Sequence, residues 1–308
     1  MGLLQAGYGM KTKVQRKAFA KVNLGLDITG RREDGYHLVR MVMQQIGLYD
    51  VLTLEPEEEP GIRLLLSEDC TLPDIDEMPL DDRNLIVRAA KAVMERYGIE
   101  SGLRITLEKH IPMAAGMAGG STDCAAALQG VAELFETGST PQELAEMGLR
   151  LGADVPYCLA GGTMLAEGIG EKLTKLPDLP DCGFLIIKPS FGVSTKEVYT
   201  AYDGLADSEE GAAIIHPDID GMVDAIRRND LEGVLSRLGN VLEPVTAERH
   251  PAIHKIEEHV RSIGVMSTIM TGSGPTVFGM FQKDTGPDIS LLQEKLAGDG
   301  ISAMIFVV

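Results

Sequence analysis

The segment Pro112–Asp123 constrains the fold of this chain most strongly, because it places three glycines within five residues and then enters a helix-compatible run, Cys124–Glu136. Glycine permits positive φ angles and lets a ligand approach the main chain closely. A helix that begins there offers unpaired N–H groups and the positive end of its dipole, so the segment could hold a phosphate. A flexible turn with an Asp or Ser helix cap is the alternative, and the loop alone leaves both open.

Length and charge narrow the class of protein. A chain of 308 residues exceeds one ordinary core and suits two domains. Its formal net charge of −18 argues against general nucleic-acid binding, which needs a basic surface. Positive potential for a phosphate would therefore have to be local, from backbone amides, a magnesium ion and a few placed basic side chains.

Neither a membrane span nor a secretory signal is predicted. No stretch approaches the roughly 18 consecutive apolar residues of a span, and Met1–Lys17 has basic residues but no apolar core. The four cysteines are scattered and form no CxxC pair, so neither a zinc ribbon nor a redox motif is predicted. Reduced thiols fit the cytoplasm. We expect a cytoplasmic protein that binds neither nucleic acid nor membranes.

Helix-like and strand-like patterns mix along the chain. Asn84–Tyr97 carries apolar residues at helical spacing, and Pro141–Leu151 follows a predicted N-cap, Thr140. Strands and helices without strict βαβ alternation predict an α+β fold. The predicted strands are Lys13–Gly30, His37–Asp50, Val51–Glu55, Ile62–Leu66, Leu103–Glu108, Gly183–Lys188, Ser267–Thr271, Val277–Phe281 and Ala303–Val308, with a hairpin at Gly161–Leu173.

A domain boundary is predicted at Pro177–Cys182, where prolines interrupt both element types. The predicted domains are therefore residues 1–176 and 177–308. Beyond the boundary, helices are predicted near Thr195–Tyr202, Met222–Arg228, Leu231–Leu238, Pro251–Ile263 and Ile289–Leu296.

Three motifs follow one another along the chain: Lys21–Leu24 with Gly30–His37, the glycine-rich segment, and Met270–Thr276. In their order, spacing and residue identities, they resemble the motifs of the superfamily of galacto-, homoserine, mevalonate and phosphomevalonate kinases (GHMP kinases). The resemblance covers essentially the whole chain. Ala20–Leu24, Gly30–His37 and Leu151–Pro156 are similar to the members that phosphorylate a cytidine diphosphate-linked methylerythritol. Those members transfer phosphate from ATP to its tertiary 2-hydroxyl, on the non-mevalonate route to isoprenoid precursors.

The resemblance implies a two-domain GHMP kinase fold. The N-terminal domain would be like domain 2 of ribosomal protein S5, with a left-handed βαβ crossover, which is rare. The C-terminal domain would be ferredoxin-like, and the active site would lie in the cleft between the domains. The implied cofactors are ATP and Mg²⁺, the implied partner is the small-molecule substrate, and we expect a monomer or weak homodimer.

Two residues are implied to carry the chemistry. Phosphoryl transfer needs positioning, charge neutralisation and a group that receives the proton of the attacking hydroxyl. By resemblance, Asp154 is the catalytic base and Lys21 the cation beside it that stabilises developing charge. From the residues alone, an ordinary turn aspartate and a solvated edge-strand lysine are the commoner cases, and the resemblance reverses both.

Substrate contacts are implied at the Gly35–Tyr36–His37 turn, where a histidine can bind the edge of cytosine and an aromatic ring can stack on it. Tyr199 is the candidate for a second ring. Met41–Met43 stands where some members carry an aromatic residue, so the stacking arrangement stays open. Asn23 shares a strand face with Lys21, two residues away. The full substrate set is Asn23, Tyr36, His37, Thr195, Tyr199, Gly272, Ser273 and Gly274.

The predicted ATP site centres on the glycine-rich loop. Asn84 and Lys109 match positions near the adenine in the family, although Asn84 could equally be a plain helix cap. Ser121 could bind a magnesium ion carried by ATP, and Ala118 is a variation that the family tolerates. The full ATP set is Asn84, Lys109, Pro112, Met113, Ala114, Ala115, Gly116, Met117, Ala118, Gly119, Gly120, Ser121 and Thr122.

Several alternatives remain beside this prediction. Homoserine, mevalonate or a sugar is the runner-up substrate, and Gly30–His37 favours the cytidylyl compound. A catalytically silent nucleotide-binding protein is disfavoured by the presence of Lys21, Ser121 and Asp154. An RNA-binding role would rest only on the S5-like domain and conflicts with the net charge. No GxxxxGK[ST] motif occurs, which excludes a P-loop NTPase as a motif match.

Overall fold

The structure, a computed structural model, describes residues 10–308 and forms two compact units. Residues 1–9, predicted to begin the first domain, lie outside the described range. The first unit comprises the chain up to Ala20, Leu48–Pro112 and Ala118–Ala160, and the second Lys21–Gly47, Met113–Met117 and Gly161–Val308. Because these units follow compactness and not sequence order, the predicted domains 1–176 and 177–308 stay a prediction.

Eleven strands and ten α-helices are described between residues 10 and 308, which confirms the α+β class. The strands are β1 (Val14–Arg31), β2 (His37–Glu57), β3 (Ile62–Leu66), β4 (Gly102–Glu108), β5 (Thr163–Glu167), β6 (Lys172–Lys175), β7 (Gly183–Pro189), β8 (Gly239–Asn240), β9 (Ser267–Met270), β10 (Val277–Phe281) and β11 (Ala303–Val307). The helices are α1 (Leu85–Tyr97), α2 (Gly119–Leu134), α3 (Pro141–Leu151), α4 (Val155–Ala160), α5 (Thr195–Ala206), α6 (Ile219–Arg227), α7 (Leu231–Leu235), α8 (Glu243–Arg249), α9 (Ala252–Arg261) and α10 (Ile289–Gly298).

In the first unit, helices α1 and α2 supply much of a core that they share with β2 and β4. The end of β2 pairs antiparallel with β4, which pairs parallel with β3. A Cβ on Gly130 of α2 would lie 2.7 Å from Leu54, so the helix packs closely on the sheet. The predicted caps are confirmed: Asn84 accepts from the N–H of Ile86, and Thr140 forms a capping box with Glu143.

In the second unit, an antiparallel sheet has the strand order β11–β7–β10–β9. Every residue of β7 is buried, which fits a central strand covered on both faces. Helices α9 and α10 contribute Ile256, Val260 and Leu292 to the core of this sheet. Elsewhere in the unit, β1 pairs parallel with β8 at Gly25, and the beginning of β2 pairs antiparallel with β5.

Three short elements differ from the sequence prediction. Asp154 was predicted in a rigid turn, and a six-residue helix, α4, begins at the next residue. Helix α8 and strand β8 were not predicted at all. An element of seven residues or fewer spans at most about two helical turns, too short for periodicity to identify. Pro244 also reads as a breaker, although proline is favoured in the first turn of a helix.

The glycine-rich loop between β4 and α2 has an unusual backbone. Gly116 has a φ of 70°, and two alanines, Ala114 and Ala118, have φ values of 48° and 57°. A Cβ makes this left-handed region unfavourable by about 1–2 kcal/mol, whereas glycine enters it freely. Ala118 is therefore strained at the residue that leads into α2.

Replacing Ala118 by glycine should stabilise the protein, by up to about 1 kcal/mol after the greater freedom of glycine in the unfolded chain is subtracted. The measurement is the free energy of unfolding in a denaturant titration. Ala125→Gly is the matched control inside α2, and it should destabilise by about 1 kcal/mol because the helix interior disfavours glycine. Equal losses in both variants would contradict the assigned strain.

Two carboxylates meet within the second unit, Glu243 at the start of α8 and Glu257 on α9. Burial, together with the negative charge of Glu257, raises the pKa of Glu243 to about 8 from an ordinary value of 4.5. Between those values the folded chain holds a proton that the unfolded chain releases. The free energy of unfolding should therefore fall as pH rises across this range.

Replacing Glu243 by glutamine removes this proton, so the variant should lose less stability than the wild type between about pH 5 and pH 8. Denaturant unfolding at several pH values in that window measures the effect. Glu248→Gln, at an exposed position on the same helix, is the control and should keep the wild-type slope. Parallel slopes in all three proteins would show that Glu243 does not carry the pH dependence.

Candidate active site

Lys21 and Asn23 lie side by side on β1, as their spacing predicts. Both side chains are buried, and the Lys21 ammonium donates to Asn23 Oδ1 at 2.6 Å and to the carbonyl oxygen of Gly116 at 3.2 Å. The solvated edge-strand alternative for Lys21 is therefore wrong. Its positive charge lies beside the glycine-rich loop.

The two glycine-containing loops meet at Gly116. A Cβ on Gly116 would lie 2.6 Å from the carbonyl oxygen of Thr271, and one on Gly272 would lie 2.9 Å from the carbonyl oxygen of Gly116. Only glycine permits so close an approach of two backbones. The prediction that the second loop faces the first is confirmed, and Asn23 joins them by donating its N–H to Thr271 Oγ1 at 2.9 Å.

The second loop is held by side chains that sequence reasoning missed. Asn240 donates from Nδ2 to the carbonyl oxygens of Met270, at 2.9 Å, and Gly272, at 2.8 Å. Glu243 accepts the N–H of Met270 at 2.8 Å. A predicted substrate residue, Thr195, reaches the hydroxyl of Ser273 at 2.9 Å. Nothing local in the sequence marks Asn240 or Glu243, because their partners lie about 30 residues away along the chain.

The predicted substrate residues His37 and Tyr199 lie together, with ring centroids 4.8 Å apart. Tyr36 is 59% exposed, so its ring is accessible. His37 Nε2 lies 2.6 Å from Asp203 Oδ1, and Arg31 contacts the other oxygen of that carboxylate at 3.1 Å. A carboxylate oxygen can accept a hydrogen bond from a ring N–H, so this contact orients the His37 ring. Sequence reasoning did not find Asp203.

In the first unit, Asp154 immediately precedes α4 and is half-buried. Its carbonyl oxygen accepts from the N–H of Cys158 at 3.0 Å, which fixes the backbone at the start of the helix. Ser121, at the start of α2, lies close to the same turn, because a Cβ on Gly152 would be 3.8 Å from its Oγ. The structure therefore brings together Ser121 and the turn that carries Asp154.

Three predicted nucleotide residues have side chains engaged within the protein. Asn84 caps α1 and also donates to the carbonyl oxygen of Pro79 at 2.8 Å. Thr122 is buried and donates to the carbonyl oxygen of Phe19 at 2.8 Å. Lys109 is buried and ion-paired with two carboxylates. Direct contacts of these three side chains with a nucleotide stay predictions.

Residues 10–308 contain neither a cluster of metal ligands nor a membrane-spanning helix. No group of three or more His, Cys, Asp or Glu side chains there is arranged to hold a metal ion. Over the same residues, no helix has the length and apolar character of a membrane span.

Two family models match the chain. The model of the GHMP kinases N terminal domain matches residues 84–162, and the GHMP kinases C terminal model matches residues 222–296. The first match contains the glycine-rich loop and Asp154. The second contains the Gly272–Gly274 loop together with Asn240 and Glu243.

Individual proteins agree with the family models. A 4-diphosphocytidyl-2-C-methyl-D-erythritol kinase of Lachnospira eligens is 49% identical over 270 residues, which cover 87% of this chain and 88% of the relative. A crystal structure of a 4-(cytidine 5'-diphospho)-2C-methyl-D-erythritol kinase is 29% identical, with a TM-score of 0.73 and coverage of 95% of this chain and 98% of that one.

A homoserine kinase structure from Cytophaga hutchinsonii has a TM-score of 0.75, with coverage of 98% of this chain and 96% of that one, but is only 18% identical. It shows the fold alone, so fold similarity does not separate the subfamilies whereas sequence identity does. The resemblance inferred from the motifs and the predicted GHMP kinase fold are both confirmed. The chain therefore belongs to the GHMP kinase family of ATP-dependent kinases, and within that family it groups with the 4-diphosphocytidyl-2-C-methyl-D-erythritol kinases.

Proposed function

We propose that this chain transfers the γ-phosphate of ATP to the 2-hydroxyl of 4-diphosphocytidyl-2-C-methyl-D-erythritol, on the non-mevalonate route to isoprenoid precursors. The observation that carries the proposal is 49% identity to a kinase of that name over 87% of this chain. The arrangement of Lys21, Gly116 and the pair of His37 with Tyr199 supports it independently.

ATP binds through the backbone of the glycine-rich loop and the start of α2. That helix is 16 residues long, and its unpaired N–H groups and dipole favour phosphate at its beginning. Such a site needs no basic surface, in keeping with a net charge of −18. A Mg²⁺ ion carried by the nucleotide would need few protein ligands, and the Ser121 hydroxyl at the start of α2 would be one of them. The bound ion neutralises charge on the phosphates.

Lys21 and Asp154 have different roles in phosphate transfer: one stabilises charge and the other accepts a proton. Lys21 supplies a buried positive charge beside the loop backbone, where a low dielectric strengthens its effect on developing negative charge. Asp154 accepts the proton of the attacking hydroxyl. Asp154 is half-buried and lies just after the part of the turn that is close to Ser121. Its backbone is fixed by a hydrogen bond from Cys158 of α4.

His37, Tyr199 and Tyr36 bind the cytosine. With Nε2 donating to Asp203, a neutral His37 ring leaves Nδ1 as an acceptor. An acceptor suits the exocyclic amino group of cytosine and not the carbonyl oxygen that uracil carries at the same position. The rings of Tyr199 and Tyr36 offer surfaces on which a base can stack.

Purified protein should consume ATP with the cytidylyl alcohol and not with mevalonate or homoserine. A coupled assay of ADP formation with each alcohol makes the comparison. Turnover with mevalonate or homoserine that equals or exceeds turnover with the cytidylyl alcohol would overturn the proposed substrate.

Asp154→Asn and Lys21→Met should each keep the fold but lower kcat by roughly a hundredfold or more, because each removes a group that acts on charge in the transition state. Steady-state kinetics and thermal unfolding measure the two effects. The exposed residues Asp178 and Lys172 provide matched controls as Asp178→Asn and Lys172→Met, which should retain wild-type turnover. Near-normal kcat in a site variant would remove that residue from the mechanism.

His37→Ala should weaken the binding of cytidine diphosphate, and the wild type should prefer cytidine diphosphate to uridine diphosphate. Isothermal calorimetry with both nucleotides measures affinity without turnover. His216, which pairs with Asp27 at 2.6 Å and is exposed, serves as the control in His216→Ala. Undiminished affinity in the His37 variant would count against this subsite.

A further inference from the structure

In the first unit, three buried charged side chains form a cluster beside the two segments that flank the glycine-rich loop. Lys109, just after β4, is ion-paired with Asp50 of β2 and contacts Asp123 Oδ2, on α2, at 3.1 Å. All three side chains are at most 4% exposed. Buried ions are costly unless they are paired, so a cluster of this kind calls for a specific reason.

The cluster holds the chain on both sides of the loop. Asp50 Oδ1 accepts the N–H of His110 at 2.6 Å and that of Ile111 at 2.8 Å, which fixes the chain just before the loop. Lys109 joins Asp50 to Asp123, and Asp123 lies in α2 just after the loop. The two ends of the loop therefore lie close to one another in space. The Lys109 ammonium group connects them, because it contacts both Asp50 and Asp123.

Close packing at the start of α2 supports the same conclusion. A Cβ on Gly119 would lie 3.2 Å from Lys109 Nζ and 3.1 Å from a methyl group of Ile111. The first residue of the helix therefore lies directly on the cluster. Glycine at this position allows that contact.

Charge also matters, because a carboxylate near the start of α2 would oppose a bound phosphate. Burial raises the pKa of Asp123 well above its usual range, and the Lys109 ammonium counteracts that rise. The positive charge of Lys109 beside Asp123 also offsets negative charge at this end of the helix. Asp123 Oδ1 has no hydrogen-bond partner within residues 10–308, so its link to Lys109 runs through Oδ2.

We propose that Asp50, Lys109 and Asp123 are positioning residues that hold the two ends of the glycine-rich loop in place, so that its amides are ordered before the triphosphate binds. The proposal rests on the proposed function only in taking this loop as the ATP site. Ordering a loop costs conformational entropy, and a loop that is already ordered avoids that cost on binding. The three buried side chains act through the backbone and need no contact with the nucleotide.

Asp123→Ala is the most direct test, because it removes the tie to α2 and leaves Lys109 paired with Asp50. The Kd and KM for ATP should rise about tenfold, the usual effect of losing a hydrogen bond to a charged group. The KM for the alcohol should change less than about twofold on the same reasoning. Amide hydrogen exchange in the peptide covering residues 109–122 should become faster.

Asp123→Asn keeps an oxygen that can accept from Lys109, so it should restore most of the affinity for ATP. Asp50→Asn tests the other tie and should weaken ATP binding while speeding exchange at His110 and Ile111. Glu133→Gln is the control: this carboxyl group lies near the other end of α2 and pairs with Lys11 at 2.7 Å, and the variant should keep the wild-type Kd for ATP.

The results separate the possibilities. Equal increases in both KM values, or an unchanged Kd for ATP with unchanged exchange in Asp123→Ala, would overturn the positioning role. If Asp123→Ala does not fold, Asp50→Asn decides by the same readouts. Wild-type protein that binds ATP but phosphorylates none of the alcohols would refute the proposed substrate and leave the cluster testable by affinity and exchange. Wild-type protein that binds no ATP would refute both.

Discussion

The contact between the backbones of Gly116 and the Thr271–Gly274 loop is the constraint on which the arrangement of this site depends. At the observed separation no side chain fits on Gly116, because a Cβ would lie 2.6 Å from a carbonyl oxygen. The Lys21 ammonium binds the Gly116 carbonyl, and Asn23 binds both Lys21 and Thr271. A loop displaced by the width of one methyl group would lose these bonds together. The site is therefore specified by packing of the main chain more than by its side chains.

A protein with a net charge of −18 must bind a polyanion without a basic surface. Two of its lysines, Lys21 and Lys109, are buried beside the glycine-rich loop and contact oxygen atoms of the protein. Lys21 donates to the neutral oxygen atoms of Asn23 and Gly116, whereas Lys109 lies between two carboxylates. One lysine is thus suited to act on a ligand and the other to hold structure. Their chemical type is identical, and only their neighbours separate the two roles.

The sequence predicted the parts of the site that lie in short contiguous motifs. Lys21 and Asn23 contact one another because residues two apart share a face of a strand. His37 and Tyr199 meet as expected, but the partner that orients His37, Asp203, lies 166 residues away and belongs to no motif. Asn240 and Glu243 escaped notice for the same reason. Helices α4 and α8 were missed because six or seven residues carry too little periodicity to be recognised.

The sequence by itself determined the class of fold, the family and the location of the loops, since glycine spacing, apolar periodicity and motif order are local properties of the chain. Only the tertiary structure decided which charged side chains are buried and which carboxylate pairs with which lysine or histidine. It also decided how the ends of the glycine-rich loop are held. Those outcomes depend on contacts between residues tens to hundreds of positions apart, such as Asp50 with Lys109 and His37 with Asp203. The strength of such pairs is set by burial, and burial exists only once the chain has folded.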